Sequence, residues 1–243
     1  MMHPKNGHPL MDRSEQSLRS EVSDLTATLR DNPRDPETLQ SLGLGFIRLG
    51  SLKKGVNLLE RSSFMRPLNA AMRIELAIAY GLQGRIELAI DLLMLEACEQ
   101  PLTADEFLRV ARGLDAFDKP ELAMEACRRA GRLAFDRADI HQHMARFASR
   151  CGRPAAAIEA LLKRAVDLEP DSIDFRMGLV THLMLFQRIE EAAGVIRSLI
   201  PSHLSQLHCP CCTSRLVQLF NKTNEPHFRD ACLARLEYIQ SSP

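Results

Sequence analysis

Residues 39 to 67 read LQSLGLGFIRLGSLKKGVNLLERSSFMRP, and this stretch decides the fold. Its first half places Leu39, Leu42, Phe46 and Leu49 at helical spacing. Gly50 then stops the helix, because glycine reaches the left-handed cap conformation without Cβ strain. A second helical pattern follows, with Leu52, Val56, Leu59 and Phe64 on one stripe, and Pro67 ends the unit. Gly55, in the first turn of the second helix, is small enough to let two helices approach closely. One such hairpin cannot bury its apolar stripe alone and needs neighbours.

The neighbours are present in the same register. Gly50, Gly84 and Gly152 lie 34 or 68 residues apart, and Asp118 fills the missing slot. Five residues after each comes a small residue: Gly55, Ala89, Ala123 and Ala157. Leu42, Leu76, Val110 and Met144 share a column before the turn, as do Phe46, Tyr80, Leu114 and Ala148. A period of 34 with these columns resembles the tetratricopeptide repeat family. The best copy carries Leu39, Leu42, Gly43, Phe46, Gly50, Gly55, Leu59 and Pro67; the next carries Leu76, Ala77, Tyr80, Gly84, Ala89, Leu93 and Pro101. Later copies run roughly over 104–137, 138–172 and 173–205, the fourth being one residue longer and the fifth holding Gln187 at the turn. The chain departs from the family at the Trp column, which holds Leu39, Arg73, Phe107, His141 and Arg176.

The resemblance implies an all-α fold, a right-handed α-solenoid of stacked antiparallel helical hairpins. Residues 1–13 are expected as a flexible lead and 14–33 as an N-terminal capping helix. About five repeats are expected over 34–205. Residues 206–243 read as a degenerate sixth repeat or C-terminal cap, with a turn at Asn224-Glu225-Pro226.

Composition narrows the function classes. The 243 residues carry 31 basic and 31 acidic side chains, so the basic excess that phosphate binding requires is missing. Nucleic acid is therefore not an expected partner. Aromatic residues make up 5% and there is no Trp, which argues against an aromatic-rich β core. No apolar run is long enough to insert in a membrane. Seven cysteines, an odd count with several placed singly in helical patterns, suit a reducing, cytoplasmic compartment. Arginine outnumbers lysine, which fits a GC-rich bacterial genome.

No phosphate loop, nucleophile elbow or zinc-protease helix is present, so the expectation is a protein that is not an enzyme and uses no cofactor. Isolated carboxylates such as Glu121 and Glu159 read as solvent-face charges. The stretch His208-Cys209-Pro210-Cys211-Cys212 admits three readings. Zinc would use Cys209, Cys212, His227 and Cys232 at finger-like spacing. A helix from Pro210 to about Thr223 would hold Cys209 and His227 roughly 20 Å apart, too far for one ion. Cys209-Pro210-x-Cys212 is similar to the active-site motif of glutaredoxins, with a helix N-terminus to activate Cys209, but no strand precedes it. The structural reading makes these thiols packing residues, and no metal is favoured.

In a stack of hairpins the first helices line the inner face. The stripe left after the core columns offers Gln40, Leu44, Ile47, Ile74, Ile78 and Leu82, then Arg112, Asp115, Gln142, Arg146 and Arg150, then Met177, Thr181 and Met184. An apolar–cationic–apolar groove suits an amphipathic or extended peptide with an acidic segment. The expected function is therefore a noncatalytic scaffold or adaptor that holds a partner protein or peptide in this groove. The alternative is a thiol- or zinc-dependent protein using the cysteine stretch, and self-association into a homo-oligomer is a third arrangement.

Overall fold

The computed structural model describes residues 9–99 and 101–241. Among them there are thirteen α-helices and no strand. Helix α1 spans Pro9–Asp31, so it starts inside the stretch expected as a lead; residues 1–8 lie outside the described residues. Six helical hairpins follow: α2 (Pro36–Arg48) with α3 (Leu52–Ser63), α4 (Ala70–Leu82) with α5 (Ile86–Glu99), α6 (Ala104–Ala116) with α7 (Pro120–Leu133), α8 (Ala138–Arg150) with α9 (Ala155–Leu168), α10 (Ile173–Leu185) with α11 (Ile189–Ile196), and α12 (Pro210–Lys222) with α13 (Pro226–Ser241). The chain divides into two compact units, Leu10–Leu133 and Ala134–Pro243.

Each hairpin turns in the same way. The second residue after the first helix sits in the left-handed region, with φ from 56° to 91° at Gly50, Gly84, Asp118, Gly152, Gln187 and Asn224. The next residue's N–H then reaches back five positions to a helical carbonyl: Ser51 to Phe46 (2.8 Å), Arg85 to Tyr80 (3.0 Å), Lys119 to Leu114 (2.9 Å), Arg153 to Ala148 (2.9 Å), Arg188 to Leu183 (3.0 Å) and Glu225 to Phe220 (2.9 Å). This bond satisfies a carbonyl that the helix end would leave open and reverses the chain. Asp and Asn tolerate the left-handed conformation with a local polar side chain; Gln187 has no such compensation.

In the Leu10–Leu133 unit, the hairpin quoted above closes by backbone contact. A Cβ on Gly55 would meet the Gly43 carbonyl oxygen and Ile47 Cγ1, both at 2.6 Å, so only glycine fits at this crossing. Helix α1 caps the first hairpin: Val22 packs on Leu39, Leu42 and Leu58, with Leu25, Leu29, Phe46 and Leu49 around them. Each fully buried leucine or isoleucine of this kind contributes about 1.5–3 kcal/mol. Ala89 and Ala123 are fully buried in the same column as Gly55.

In the Ala134–Pro243 unit that column shifts in the fourth repeat. Ala157 is exposed and Ile158 is buried in its place. The extra residue of the fourth repeat lies in the turn, where Pro154 caps α9, and it shifts that helix by one position. The column resumes at Ala192, which is fully buried. Between α11 and α12 the chain makes two single 3-10 turns, Arg197–Leu199 and Leu204–Gln206.

Arginines replace the aromatic residue of the family's Trp column by hydrogen bonding. Arg73 makes a bidentate pair with Glu96 of α5 (2.5 and 2.8 Å) and donates to the Leu68 carbonyl before α4 (2.5 Å). Arg176 donates to the carbonyls of Pro170 (2.7 Å) and Val195 (2.5 Å). His141 Nε2 contacts the Phe135 carbonyl at 3.0 Å. Each of these side chains ties the start of its helix to the loop before it, and the two arginines also reach the hairpin's second helix. Glu159 is not a free surface charge: it accepts from Arg188 (2.5 Å), pairs with Lys163 (2.8 Å), and has a side chain only 14% exposed. The hydrogen bond from Arg188, then that from Lys163, hold its carboxyl down at about 2.

Two stability predictions follow from these features. Gln187→Gly removes the left-handed strain of a β-carbon at the fifth turn. It should stabilise the protein by about 1 kcal/mol and raise Tm by roughly 2–4 °C; a thermal melt with unchanged or lower Tm would contradict the turn analysis. Glu159 is more acidic folded than unfolded, so its contribution is complete above pH 4.5 and is lost as pH falls toward 2. Over that window the wild type should lose Tm more steeply than Glu159→Gln; parallel slopes would show that the pair is inert.

Candidate functional site

The candidate site lies wholly in the Ala134–Pro243 unit. It is a groove of about 630 Å³ running along the first helices of successive hairpins. Helix α8 supplies Asp139, Gln142 and His143, α10 supplies Asp174, Phe175, Met177, Gly178 and Thr181, and α12 supplies Cys212. Glu169 and Ser172, from the segment leading into α10, complete the lining. The positions 139, 142, 143 and 174, 177, 178, 181 are each one face of a helix, which is why they converge.

Its floor is apolar and its walls are polar. Met177 is 4% exposed and forms part of the base. Gly178 opens the space beside Gln142: a Cβ there would lie 3.7 Å from Gln142 Nε2 and 3.2 Å from Leu162 Cδ2. Gln142 Oε1 is buried and has no hydrogen-bond partner. A buried acceptor left unpaired costs about 1–3 kcal/mol, so it is poised to take a donor. Arg215 of α12 donates to Thr181 Oγ1 (3.0 Å) and fixes that hydroxyl. Burial pushes the Asp139 carboxyl up. Two hydrogen bonds from Arg137 (2.7 and 3.1 Å), its charge and the Ile140 amide together outweigh that and hold it below the usual range.

The sequence reading found part of this stripe. Gln142, Met177 and Thr181 of that stripe are among the residues lining this groove. Met184 is partly buried further along α10, and Arg146 and Arg150 are exposed but outside the lining. Asp139 and Asp174, one turn toward the helix N-termini from Gln142 and Met177, and their neighbours His143 and Gly178 lie outside the stripe read from the sequence.

In the Leu10–Leu133 unit the expected apolar floor is open only in part. Ile74 is fully buried, because α4 packs against both α2 and α6. Gln40 is buried with Nε2 unpaired, and Asp115 is 4% exposed. Ile47 packs on Val56, Ala79 and Tyr80. Leu44 and Ile78 are partly buried, while Leu82 and Arg112 are exposed.

The zinc set read from spacing does not assemble. Cys209 caps α12, whereas His227 lies exposed at the start of α13 and Cys232 is fully buried on it. Cys211, left out of that set, joins Cys209 and Cys212 instead, the three Sγ atoms lying within 4.8 Å of one another. Burial pushes the Cys209 thiol up, but hydrogen bonds from the Cys211 and Cys212 side chains and amides outweigh it and lower the thiol. Burial, then the Cys209 contact, push Cys212 up to about 12. Cys127 is buried and Cys98 is exposed.

A family model for the tetratricopeptide repeat matches residues 41–105 and 145–203. The chain belongs to the tetratricopeptide repeat family. Solved structures of this architecture align with it at low identity. PilF of Pseudomonas aeruginosa is 12% identical with a TM-score of 0.65, over 84% of this chain and 91% of that one. The APC/C hetero-tetramer Cut9–Hcn1 is 13% identical with a TM-score of 0.62, over 99% of this chain and 47% of that one. YrrB, described as a TPR protein with an unusual peptide-binding site, is 13% identical with a TM-score of 0.53, over 75% and 95%. These likenesses establish the all-α tetratricopeptide solenoid fold. No curated protein matches the chain in sequence. Tetratricopeptide proteins are in general noncatalytic scaffolds for protein–protein interaction. No helix among the described residues is long and apolar enough to cross a membrane.

If Gln142 Oε1 is held unpaired for a ligand, it destabilises the unliganded protein. Gln142→Met keeps the volume and removes the buried amide, so it should raise stability by about 1 kcal/mol. A chemical denaturation midpoint that falls in this variant would mean that the amide is structurally satisfied.

Proposed function

We propose that this tetratricopeptide protein is a noncatalytic adaptor that holds an extended segment of a partner protein in the α8–α10–α12 groove. The observation that carries the reading is the unpaired, buried Gln142 Oε1 in the wall of a groove built on the inner-helix stripe. The acidic side chains Glu169 and Asp174 line it together with Asp139, which Arg137 already pairs, and Arg112, Arg146 and Arg150 do not line it. The complement is a segment offering N–H or cationic donors, rather than the acidic segment read from the arginines. Rigid stacked hairpins supply this surface with little ordering cost on the scaffold side. The seven free thiols fit work in a reducing cytoplasm.

Binding of arrayed extended peptides, basic, amide-rich and acidic, tests the reading. The wild type should retain basic or amide-rich peptides. Asp174→Arg and Gln142→Met should each weaken them at least tenfold. Gly178→Ala should also weaken them, by placing a methyl beside Gln142, while its gain in helix propensity keeps stability within about 1 kcal/mol. A bound set dominated by acidic peptides, or one indifferent to all three substitutions, would overturn the groove assignment.

A further inference from the structure

Helix α12 opens on Pro210, with Cys209 at its cap and Cys211 and Cys212 in its first turn. The Sγ atoms of these three residues all lie within 4.8 Å of one another. We propose that Cys209, Cys211 and Cys212 form a binding site for one soft d10 metal ion, copper(I) or zinc(II), held by three thiolates.

The geometry fits with little rearrangement. Metal–thiolate bonds are about 2.3 Å long, so three sulfurs around one ion sit roughly 4 Å apart. That spacing lies inside the observed spread. Thiolates are soft ligands and select soft ions over magnesium or calcium. The exposures also fit: Cys211 is exposed and Cys209 and Cys212 are half-buried, so an ion has a path in. A packing role would bury all three, as it does Cys232. A disulfide would use two sulfurs and leave the third unexplained.

The backbone that presents the thiols is already fixed. Thr213 donates to the Cys209 carbonyl from both its N–H and its Oγ1, each at 3.1 Å. Arg235 of α13 donates to the carbonyls of Leu207 (2.7 and 2.9 Å) and Ser205 (2.7 Å), and its Nη2 lies 3.3 Å from His208 Nδ1. The loop entering the site is thus pinned to the neighbouring helix before any ion arrives. The N–H groups of Cys211 and Cys212 face the Cys209 sulfur and offset the negative charge of the thiolates. Binding releases the three S–H protons to solvent and forms three metal–sulfur bonds, with no change of oxidation state. Copper(I) needs no further ligand, whereas zinc(II) would complete four-coordination with water on the open side.

The full chain, reduced and kept anaerobic, should be titrated in separate arms with zinc(II) and copper(I) against a chromophoric chelator. At least one arm should show one ion per chain, and the preferred arm names the ion. Cys211→Ser, at an exposed position that leaves the helical circular dichroism unchanged, should weaken binding at least tenfold, as should Cys209→Ser. Cys98→Ser, which removes an exposed thiol elsewhere, should leave it unchanged. X-ray absorption on the loaded protein should count three sulfur neighbours. Failure of both ions to bind stoichiometrically overturns the site. So does binding that survives Cys211→Ser, or a loss that Cys98→Ser reproduces. Peptide binding is not read in this assay, so its outcome is independent of the groove.

Discussion

The left-handed residue at the end of each first helix is the constraint on which the hairpins depend. With that one φ positive, the following N–H falls onto a carbonyl five residues back and the chain reverses within a few residues. Two helices then meet face to face, and their apolar stripes close on each other. Glycine meets the requirement at three turns, Asp118 and Asn224 at two more, and Gln187 at the sixth against its own preference. That Gln187 holds the conformation reflects what surrounds it. Arg188, the next residue, is clamped between Glu159 (2.5 Å) and Glu191 (2.6 and 2.7 Å), which ties the turn to α9 and α11.

A second pattern arises from the loss of the family's Trp. An indole at such a position would offer mainly apolar surface. Here Arg73 and Arg176 reach the second helix of the hairpin by hydrogen bonds to a buried Glu96 and to backbone carbonyls. Such bonds demand specific partners, since a buried carboxylate deprived of its arginine keeps its desolvation cost. Degeneracy in this column therefore changes the kind of interaction and leaves the hairpin geometry intact.

The groove and the thiol cluster illustrate how a regular scaffold acquires local chemistry. Both draw on positions that the repeat leaves wholly or partly accessible beside buried ones such as Met177. The groove takes the stripe facing away from the second helices, and the thiols take the first turn of α12, where side chains have little to pack on. Cys212 belongs to both, lining the groove and standing in the cluster.

The sequence by itself determined the repeats, because glycine placement and apolar period act within a few residues and leave a mark on every unit. It located the turns, including those at Asp118 and Gln187, and the sixth hairpin around Asn224. Three positions of the stripe read from the sequence, Gln142, Met177 and Thr181, are among the residues that line the groove. Tertiary structure alone decided which stripe positions stay open: Ile74 and Gln40 share the helical phase of a surface residue, yet neighbouring helices bury them. It decided the thiol partners as well. Cys209 is spaced from His227 and Cys232 like a metal finger, but α12 carries His227 to its far end and Cys232 is buried in the core. The first helical turn instead folds Cys211 back beside Cys209 and Cys212. Periodicity reports where a side chain points from its own helix, whereas burial and convergence depend on what other helices place there.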